Sequence, residues 1–253
     1  MGATLAFILW HQRGWIFGAK GQPLAITAAL FTSIQVLGFL NGRSGYLVFI
    51  ALASLAIIYQ LPRRWRWAAM LVPFVTLAIL LAGSKLARDR VLLVQQEVSG
   101  YSQRADINTS SGERLIYWQT SLKAIAERPI FGYGSGGWNH EFQRLTEYKL
   151  NQSFYNVDNP HQMFLLWAVE GGLIGLALLL GMFFSVYMYS KTLPVPDARS
   201  LRSALAALIF AGLTTSTIYG IGMGDYFCML IGILLCTGRD TVTSSATNNS
   251  SDT

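Results

Sequence analysis

The sequence contains a long apolar segment, Met163–Tyr189, MFLLWAVEGGLIGLALLLGMFFSVYMY, in which Glu170 is the single charged residue. A helix needs about 20 predominantly apolar residues to cross a hydrocarbon core of about 30 Å. This stretch exceeds that length, so it predicts a transmembrane helix. Gly171, Gly172 and Gly175 follow the acid, and small residues of this kind favour the close approach of a neighbouring helix.

The composition of the whole chain agrees with a membrane location. Its 253 residues are 52% hydrophobic and 13% charged, with a mean hydropathy of +0.39. Soluble domains carry about 25% charged residues. The composition therefore excludes a disordered chain, a coiled coil and a typical cytosolic enzyme.

Other apolar segments predict an all-α, polytopic transmembrane helix bundle. Residues 24–40, 45–61 and 68–83 each predict one span. Residues 203–237 are too long for one helix, and the glycines of residues 219–225 predict a turn between two short helices. With residues 1–10 as a truncated N-terminal helix, we expect about six full spans in the C-terminal portion of a longer protein.

Basic residues in the short loops predict the orientation, because cytoplasmic loops carry an excess of Lys and Arg. The loops with Arg63 and Arg64 and with Lys191 and Arg199 fall on one side, and the long loop falls on the other. The net charge of +6 thus reports topology, not nucleic-acid binding. We predict membrane helices in residues 1–83 and 161–237, a periplasmic loop in residues 84–160, and a disordered cytoplasmic tail in residues 238–253.

The periplasmic loop is predicted to contain a helix near residues 111–127. Ser111 and its neighbours have the spacing of a capping box, and Pro129 follows the predicted end. Arg114 falls near the start of this helix, where a cation opposes the helix dipole. Such an arginine suits an anionic ligand, with an ordinary ion pair or solvation as the alternative.

Asn159, Pro160 and His161 predict the start of the next span. Asn159 suits the N-cap, Pro160 the first helical position and His161 the first turn. The helix dipole there disfavours the imidazolium form, so we expect a neutral His161 that can accept a proton. A structural role at the membrane interface is the alternative.

Two other charged residues are candidates for function. Arg43 is the one basic residue in a short loop predicted to face outward, although a snorkelling anchor would look the same. Glu170 lies within a span, where an acid is either functional or engaged in a helix–helix hydrogen bond. No Asp-x-Asp pair or His/Cys cluster predicts a metal, and the glycines of residues 132–137 match no nucleotide fingerprint.

Four motifs together resemble those of the O-antigen ligase/polymerase superfamily of bacterial membrane glycosyltransferases. Their order and the large loop between two spans make the set specific. The chain differs from the family in having Gln162 where Asn is usual, and in having fewer spans. The motifs are Gly42-Arg43-Ser44-Gly45-Tyr46; Ser111-Gly112-Glu113-Arg114-Leu115 through Trp118; Pro129-Ile130-Phe131-Gly132-Tyr133-Gly134; and Asn159-Pro160-His161-Gln162 with Glu170-Gly171-Gly172.

The resemblance implies glycan transfer on the periplasmic face of the bacterial inner membrane, from an undecaprenyl-diphosphate carrier to an acceptor sugar, lipid A-core in the ligases. It implies that His161 is the general base and that Arg43 and Arg114 hold the diphosphate. The reaction is expected to invert the anomeric carbon and to need no metal or cofactor. The other implied site residues are Tyr117, Trp118 and Gly134 for substrate contact, and Asn159 and Glu170 for support.

Two alternatives stay open at this stage. One is an O-antigen or exopolysaccharide polymerase of the same superfamily. The other is a transporter or binding subunit for a lipid-linked glycan, without chemistry. A transporter should show internal repeats and polar groups near the membrane midplane, whereas the candidates here are predicted at the outer surface, which favours transfer.

Overall fold

The fold is known from a computed structural model that describes residues 43–62, 110–146 and 157–250, together with isolated positions before residue 93. Six helices and no strand occur in this part of the chain, which agrees with an all-α fold. The helices are α1 (Arg43–Gln60), α2 (Ser110–Glu127), α3 (Gly137–Thr146), α4 (Met163–Tyr189), α5 (Val195–Gly212) and α6 (Met223–Ser250).

Helix α4 has the bounds that its apolar stretch predicts. Of the helices that the structure describes, it alone is long and apolar enough to cross a membrane. Helices α1 and α6 contain the shorter apolar segments Leu47–Gln60 and Met223–Cys236. The predicted spans at residues 24–40 and 68–83 lie almost entirely outside the described residues, so the number of spans stays a prediction.

Two predicted boundaries in the last third of the chain differ from the structure. Helix α5 begins at Val195, well before residue 203, because proline is tolerated in a first turn and Asp197 there complements the helix dipole. Helix α6 continues to Ser250, into the segment predicted to be disordered. After Gly238 the sequence has neither glycine nor proline to end it.

The chain divides into two compact units. The first unit comprises Met1–Ala78, Met182–Ala211 and Gly220–Thr253, and the loop unit comprises Ile79–Gly181 and Gly212–Tyr219. The loop unit therefore contains α2, α3 and most of α4.

A buried cluster of aliphatic and small side chains holds α5 in the first unit. Leu201, Ala204 and Ala207 on α5 are each 0% exposed. Arg199 of α5 donates to the backbone carbonyl of Tyr59 at 3.2 Å, and its guanidinium lies 5.2 Å from the centre of the tyrosine ring. The small residues Ala204 and Ala207 let helix backbones approach closely, as in membrane proteins.

Candidate functional site in the loop unit

An aromatic core holds the loop unit together. Tyr117 of α2 and Trp138 and Phe142 of α3 are almost fully buried. The ring of Tyr117 meets those of Trp138 and Phe142 edge-on, at centroid distances of 5.7 and 5.3 Å. The rings of Trp138 and Phe142 stack on each other at 4.9 Å. Aromatic pairs in these arrangements are worth about 0.5 to 1.5 kcal/mol each beyond burial. The core thereby fixes α2 against α3.

A chain of hydrogen bonds makes this packing specific. The indole N–H of Trp138 donates to the hydroxyl of Ser121 at 2.8 Å, and that hydroxyl donates to the carbonyl of Tyr117 at 2.7 Å. Ser121 is 0% exposed, and a buried donor needs a partner. The sequence places Ser121 one turn after Tyr117, but it gives no sign that Trp138 is the partner.

Arg114 and His161 act on each other beside this core. The ring of His161 lies 6.1 Å from the ring of Tyr117, centre to centre. Desolvation lowers the pKa of His161 from its ordinary value, and the positive charge of Arg114 lowers it further. Burial, with a smaller contribution from Glu113, raises the pKa of Tyr117 to about 12. At neutral pH the histidine is therefore a free base and the tyrosine a neutral phenol.

The backbone at His161 differs from the prediction. Helix α4 begins at Met163, and His161 precedes it with a φ of +52°. The side-chain oxygen of Asn159 accepts from the N–H of His161 at 3.0 Å, whereas Gln162 accepts from the N–H of Leu165 at 2.5 Å. Gln162, not Asn159, is thus the capping residue, and placing His161 in the first turn was wrong.

His161 has a left-handed backbone conformation and precedes the first residue of α4. Among residues with a side chain, Asn, Asp and His adopt such positive φ values most often. The neutral state of His161 is therefore not due to the expected dipole of α4. Desolvation and the positive charge of Arg114 lower its pKa instead.

Residues 129–134, which we call the glycine turn, are bound to the middle of α4. Helix α4 is interrupted at Gly172, which has φ 61° and ψ −157°. Backbone groups freed by this break bond to the turn, which compensates for the lost helical bonds. The N–H groups of Tyr133 and Gly134 donate to the carbonyls of Val169 and Glu170 at 3.0 and 2.8 Å, and those of Leu173 and Ile174 donate to the carbonyls of Pro129 and Ile130 at 2.7 and 3.3 Å.

Two glycines are required for this contact. A Cβ atom on Gly172 would overlap the carbonyl of Ile130, and one on Gly132 would overlap the carbonyls of Val169 and Glu170. Both glycines also have positive φ values, 61° and 65°, which disfavour residues with side chains. The sequence shows these glycines but not that they face each other.

Glu170 connects α4 to the start of α3. Its Oε1 accepts from the backbone N–H of Gly136 at 2.8 Å, and the N–H of Trp138 donates to the same carboxylate. The first N–H groups of a helix lack intrahelical partners and favour a negative charge. Glu170 thus caps α3 from another helix, a partner that its position within an apolar stretch did not indicate.

An exposed polar network joins the two ends of the glycine turn to α2 and α3. The hydroxyl of Tyr133 donates to Glu127 at 2.9 Å. Arg144 contacts the same carboxylate and also donates to Glu141 at 2.6 Å. The hydrogen bonds from Tyr133 and Arg144 lower the pKa of Glu127. Arg128 lies 4.8 Å from the centre of the Tyr133 ring.

A cavity of about 370 Å³ adjoins the capped start of α3. Its walls include the carboxylate-bearing Glu170, the aromatic Trp167 and Tyr219, and the exposed Ser135. A concave, mostly apolar surface with a few polar groups is the usual form of a small-molecule site. No sequence motif marks Ser135, Trp167 or Tyr219 as part of a site.

The remaining predicted site residues are distributed as follows. Trp118 packs against the aromatic core, and its indole N–H is buried with no hydrogen-bond partner among the residues described. Gly134 is exposed with a φ of +87°. Arg43 is the first residue of α1, in the other unit, and its side chain lies outside the described part of the chain. The structure therefore brings Arg114, Tyr117 and His161 together and leaves Arg43 untested.

The residues that the structure describes contain no group of three or more His, Cys, Asp or Glu side chains that could hold a metal ion. Cys228 and Cys236 are free and exposed.

The chain is similar to known proteins over most of the region just described. Residues 28–180, more than half of the chain, match a family model described as O-antigen ligase. An uncharacterized protein of Haemophilus influenzae is 26% identical over 196 residues. The alignment covers 75% of this chain and 47% of the Haemophilus protein, so the chain spans about half the length of this curated relative.

Proposed function

Because the chain belongs to the O-antigen ligase family, we propose that it transfers a glycan from an undecaprenyl-diphosphate carrier to an acceptor hydroxyl, with the reacting groups in the loop unit. The observation that carries this proposal is the pairing of Arg114 with a neutral His161 beside the buried Tyr117. The pair offers a base and a cation, which are the two groups that this transfer needs.

His161 accepts the proton of the acceptor hydroxyl as the hydroxyl oxygen attacks the anomeric carbon. The bond from that carbon to the diphosphate oxygen breaks, and the carrier diphosphate leaves with the electron pair. Attack from the opposite side inverts the anomeric carbon. A positioned general base contributes on the order of 10² to 10⁴ in rate.

Arg114 stabilises the charge that develops on the leaving diphosphate. A hydrogen bond between charged groups is worth about 1.5 to 3 kcal/mol. The same charge lowers the pKa of His161, so it keeps the base unprotonated until the hydroxyl reacts. Arg43 is proposed as the second cation on the diphosphate. With guanidinium groups in this role, the reaction needs no metal.

Other features of the loop unit support a glycan-binding role. The cavity beside α3 combines the rings of Trp167 and Tyr219 with the carboxylate of Glu170, and sugars present both apolar ring faces and hydroxyl groups. The buried indole N–H of Trp118 is a further donor for a sugar or phosphate oxygen. Tyr117 and Gly134 complete the proposed substrate contacts, and Asn159 supports them by holding the backbone of His161.

We propose the ligase form of the reaction, with lipid A-core as the acceptor and the site on the periplasmic face of the bacterial inner membrane. The forms of the four sequence motifs support ligase over polymerase. Acceptor choice is open to direct measurement.

The test is a transfer assay with the membrane-reconstituted protein and purified undecaprenyl-diphosphate-linked glycan, with and without lipid A-core. Product that appears only with lipid A-core, and persists with a metal chelator, is the expected result. Lengthened glycan without lipid A-core would replace ligase by polymerase. Carrier movement across the membrane without a new glycosidic bond would overturn the transferase proposal.

A further inference from the structure

We propose that the tip of the glycine turn is inserted into the membrane, with the side chains of Ile130 and Phe131 in the hydrocarbon beside α4. The sequence pattern predicts that residues 84–160 form one periplasmic loop, outside the bilayer. The inserted tip is an interaction surface whose partner is the lipid hydrocarbon. It rests on α4 crossing the membrane and not on the chemistry of glycan transfer.

The backbone bonds fix the depth of the tip. The glycine turn is paired with residues 169–174 of α4, on both sides of the break at Gly172. The part of α4 after the break, residues 173–189, is about 25 Å long at a rise of about 1.5 Å per residue. A hydrocarbon core is about 30 Å thick. With Tyr189 at one edge of the core, Leu173 therefore lies about 5 Å inside the other edge.

The exposed side chains at this depth are large and apolar. Phe131 is 76% exposed and Ile130 is 54% exposed. Beside them on α4, Leu173 and Ile174 are 57% and 45% exposed. Single exposed apolar residues are common on proteins, but a contiguous set marks an interaction surface. This set continues along the helix to Leu178, which is 67% exposed.

The polar groups of the turn also fit this location. Irregular backbone is tolerated at membrane depth only where its polar groups are satisfied by the protein, and the bonds between the turn and α4 satisfy groups of both partners. Arg128 stacks on Tyr133 at the base of the turn. An arginine and a tyrosine are typical of the membrane–water interface, where each keeps its polar end in water.

The test measures which medium surrounds Phe131. A nitroxide label is attached to Phe131→Cys, in a background with Cys228 and Cys236 replaced by alanine, and the protein is reconstituted in vesicles of phosphatidylethanolamine and phosphatidylglycerol. Matched labels at Leu178→Cys on α4 and His140→Cys on α3 serve as lipid and water references. The apolar Leu178 is 67% exposed, and the polar side chain of His140 is 80% exposed.

At position 131 we expect an oxygen-to-nickel-chelate accessibility ratio close to that at position 178 and several-fold above that at position 140. A ratio equal to that at position 140 would overturn the proposal. Ile130→Cys provides a second label if the first variant folds poorly. The measurement does not involve glycan transfer, so an inactive protein with a lipid-exposed tip would contradict the proposed function alone.

Discussion

The aromatic core of the loop unit and the cluster on α5 in the first unit are built from different side chains. In the loop unit the buried residues are large aromatics, Tyr117, Trp138 and Phe142, and a buried serine pairs with one of them. In the first unit the most buried positions of α5 include Leu201 and Ala204. An aromatic core with hydrogen bonds holds one arrangement of side chains, whereas small residues chiefly allow helices to pack closely.

This difference agrees with the proposed location of the reacting groups in the loop unit. Among the residues described, the pair of Arg114 and His161 and the cavity beside the start of α3 belong to the loop unit. Reacting groups need a rigid support, because small displacements of a catalytic group are costly. Truncating a buried side chain should therefore lower the stability most in the loop unit. Enlarging a buried side chain should lower it most at the α5 contacts of the first unit.

The largest loss of stability is expected for Trp138→Ala. Replacing a buried tryptophan by alanine typically costs about 3 to 5 kcal/mol, and here it also leaves Ser121 without its donor. Trp138→Phe keeps most of the volume and should cost less. Thermal unfolding of the detergent-solubilised protein measures both. An alanine variant as stable as the phenylalanine variant would contradict the importance of the aromatic core.

Gly172→Ala is expected to destabilise the joint between the glycine turn and α4. The backbone conformation alone costs on the order of 1 to 3 kcal/mol for a residue with a side chain, and overlap with the carbonyl of Ile130 adds to it. Gly171→Ala is the matched control, since a Cβ there meets nothing within 4 Å. Equal melting temperatures for the two variants would show that the contact between the glycine turn and α4 does not require Gly172.

Ala204→Leu adds side-chain volume to the packed α5 contacts of the first unit. Ala204 is 0% exposed, and added methylene groups in a packed core typically cost about 1 to 3 kcal/mol. Ala206→Leu, at a half-buried position of the same helix, should cost less. The same thermal assay applies, and a stabilising effect of Ala204→Leu would show that the α5 contacts are not tightly packed.

The smallest expected effect is a shift in the pH dependence of transfer in Arg114→Gln. His161 acts as a base only when neutral, so activity is lost as pH falls through its pKa, which lies below the ordinary value of 6.5. Removing Arg114 removes one cause of that lowering, and the acidic limb should move to higher pH. The transfer rate, normalised to its plateau, gives the midpoint of the acidic limb. Arg128→Gln is the control. A wild-type midpoint in Arg114→Gln would show that Arg114 does not influence the titration of His161.

The sequence was sufficient for the elements with strong local signals. The apolar length of Met163–Tyr189 predicts α4 with its observed bounds, and the capping box and Pro129 place α2 within one residue of its start. These features depend on neighbouring residues alone. Arg114 lies near the start of α2 as predicted, whereas His161 precedes α4.

What the sequence could not predict depends on contacts between distant segments. The break at Gly172 needs the carbonyl groups of the glycine turn, about 40 positions earlier in the chain. Glu170 looked like an isolated acid in a span because the backbone that it binds belongs to α3. The left-handed conformation of His161 follows from the bond to Asn159 and the late start of α4.

The most direct test of the central claim is the rate of glycan transfer by His161→Asn. Asparagine tolerates the left-handed backbone at this position, so the variant removes the base and preserves the local fold. We predict a rate lower by on the order of 10² to 10⁴, with the rate of His140→Ala unchanged, since that histidine is exposed and contacts only Glu141 among the pairs described. A wild-type rate in a correctly folded His161→Asn protein would contradict the account.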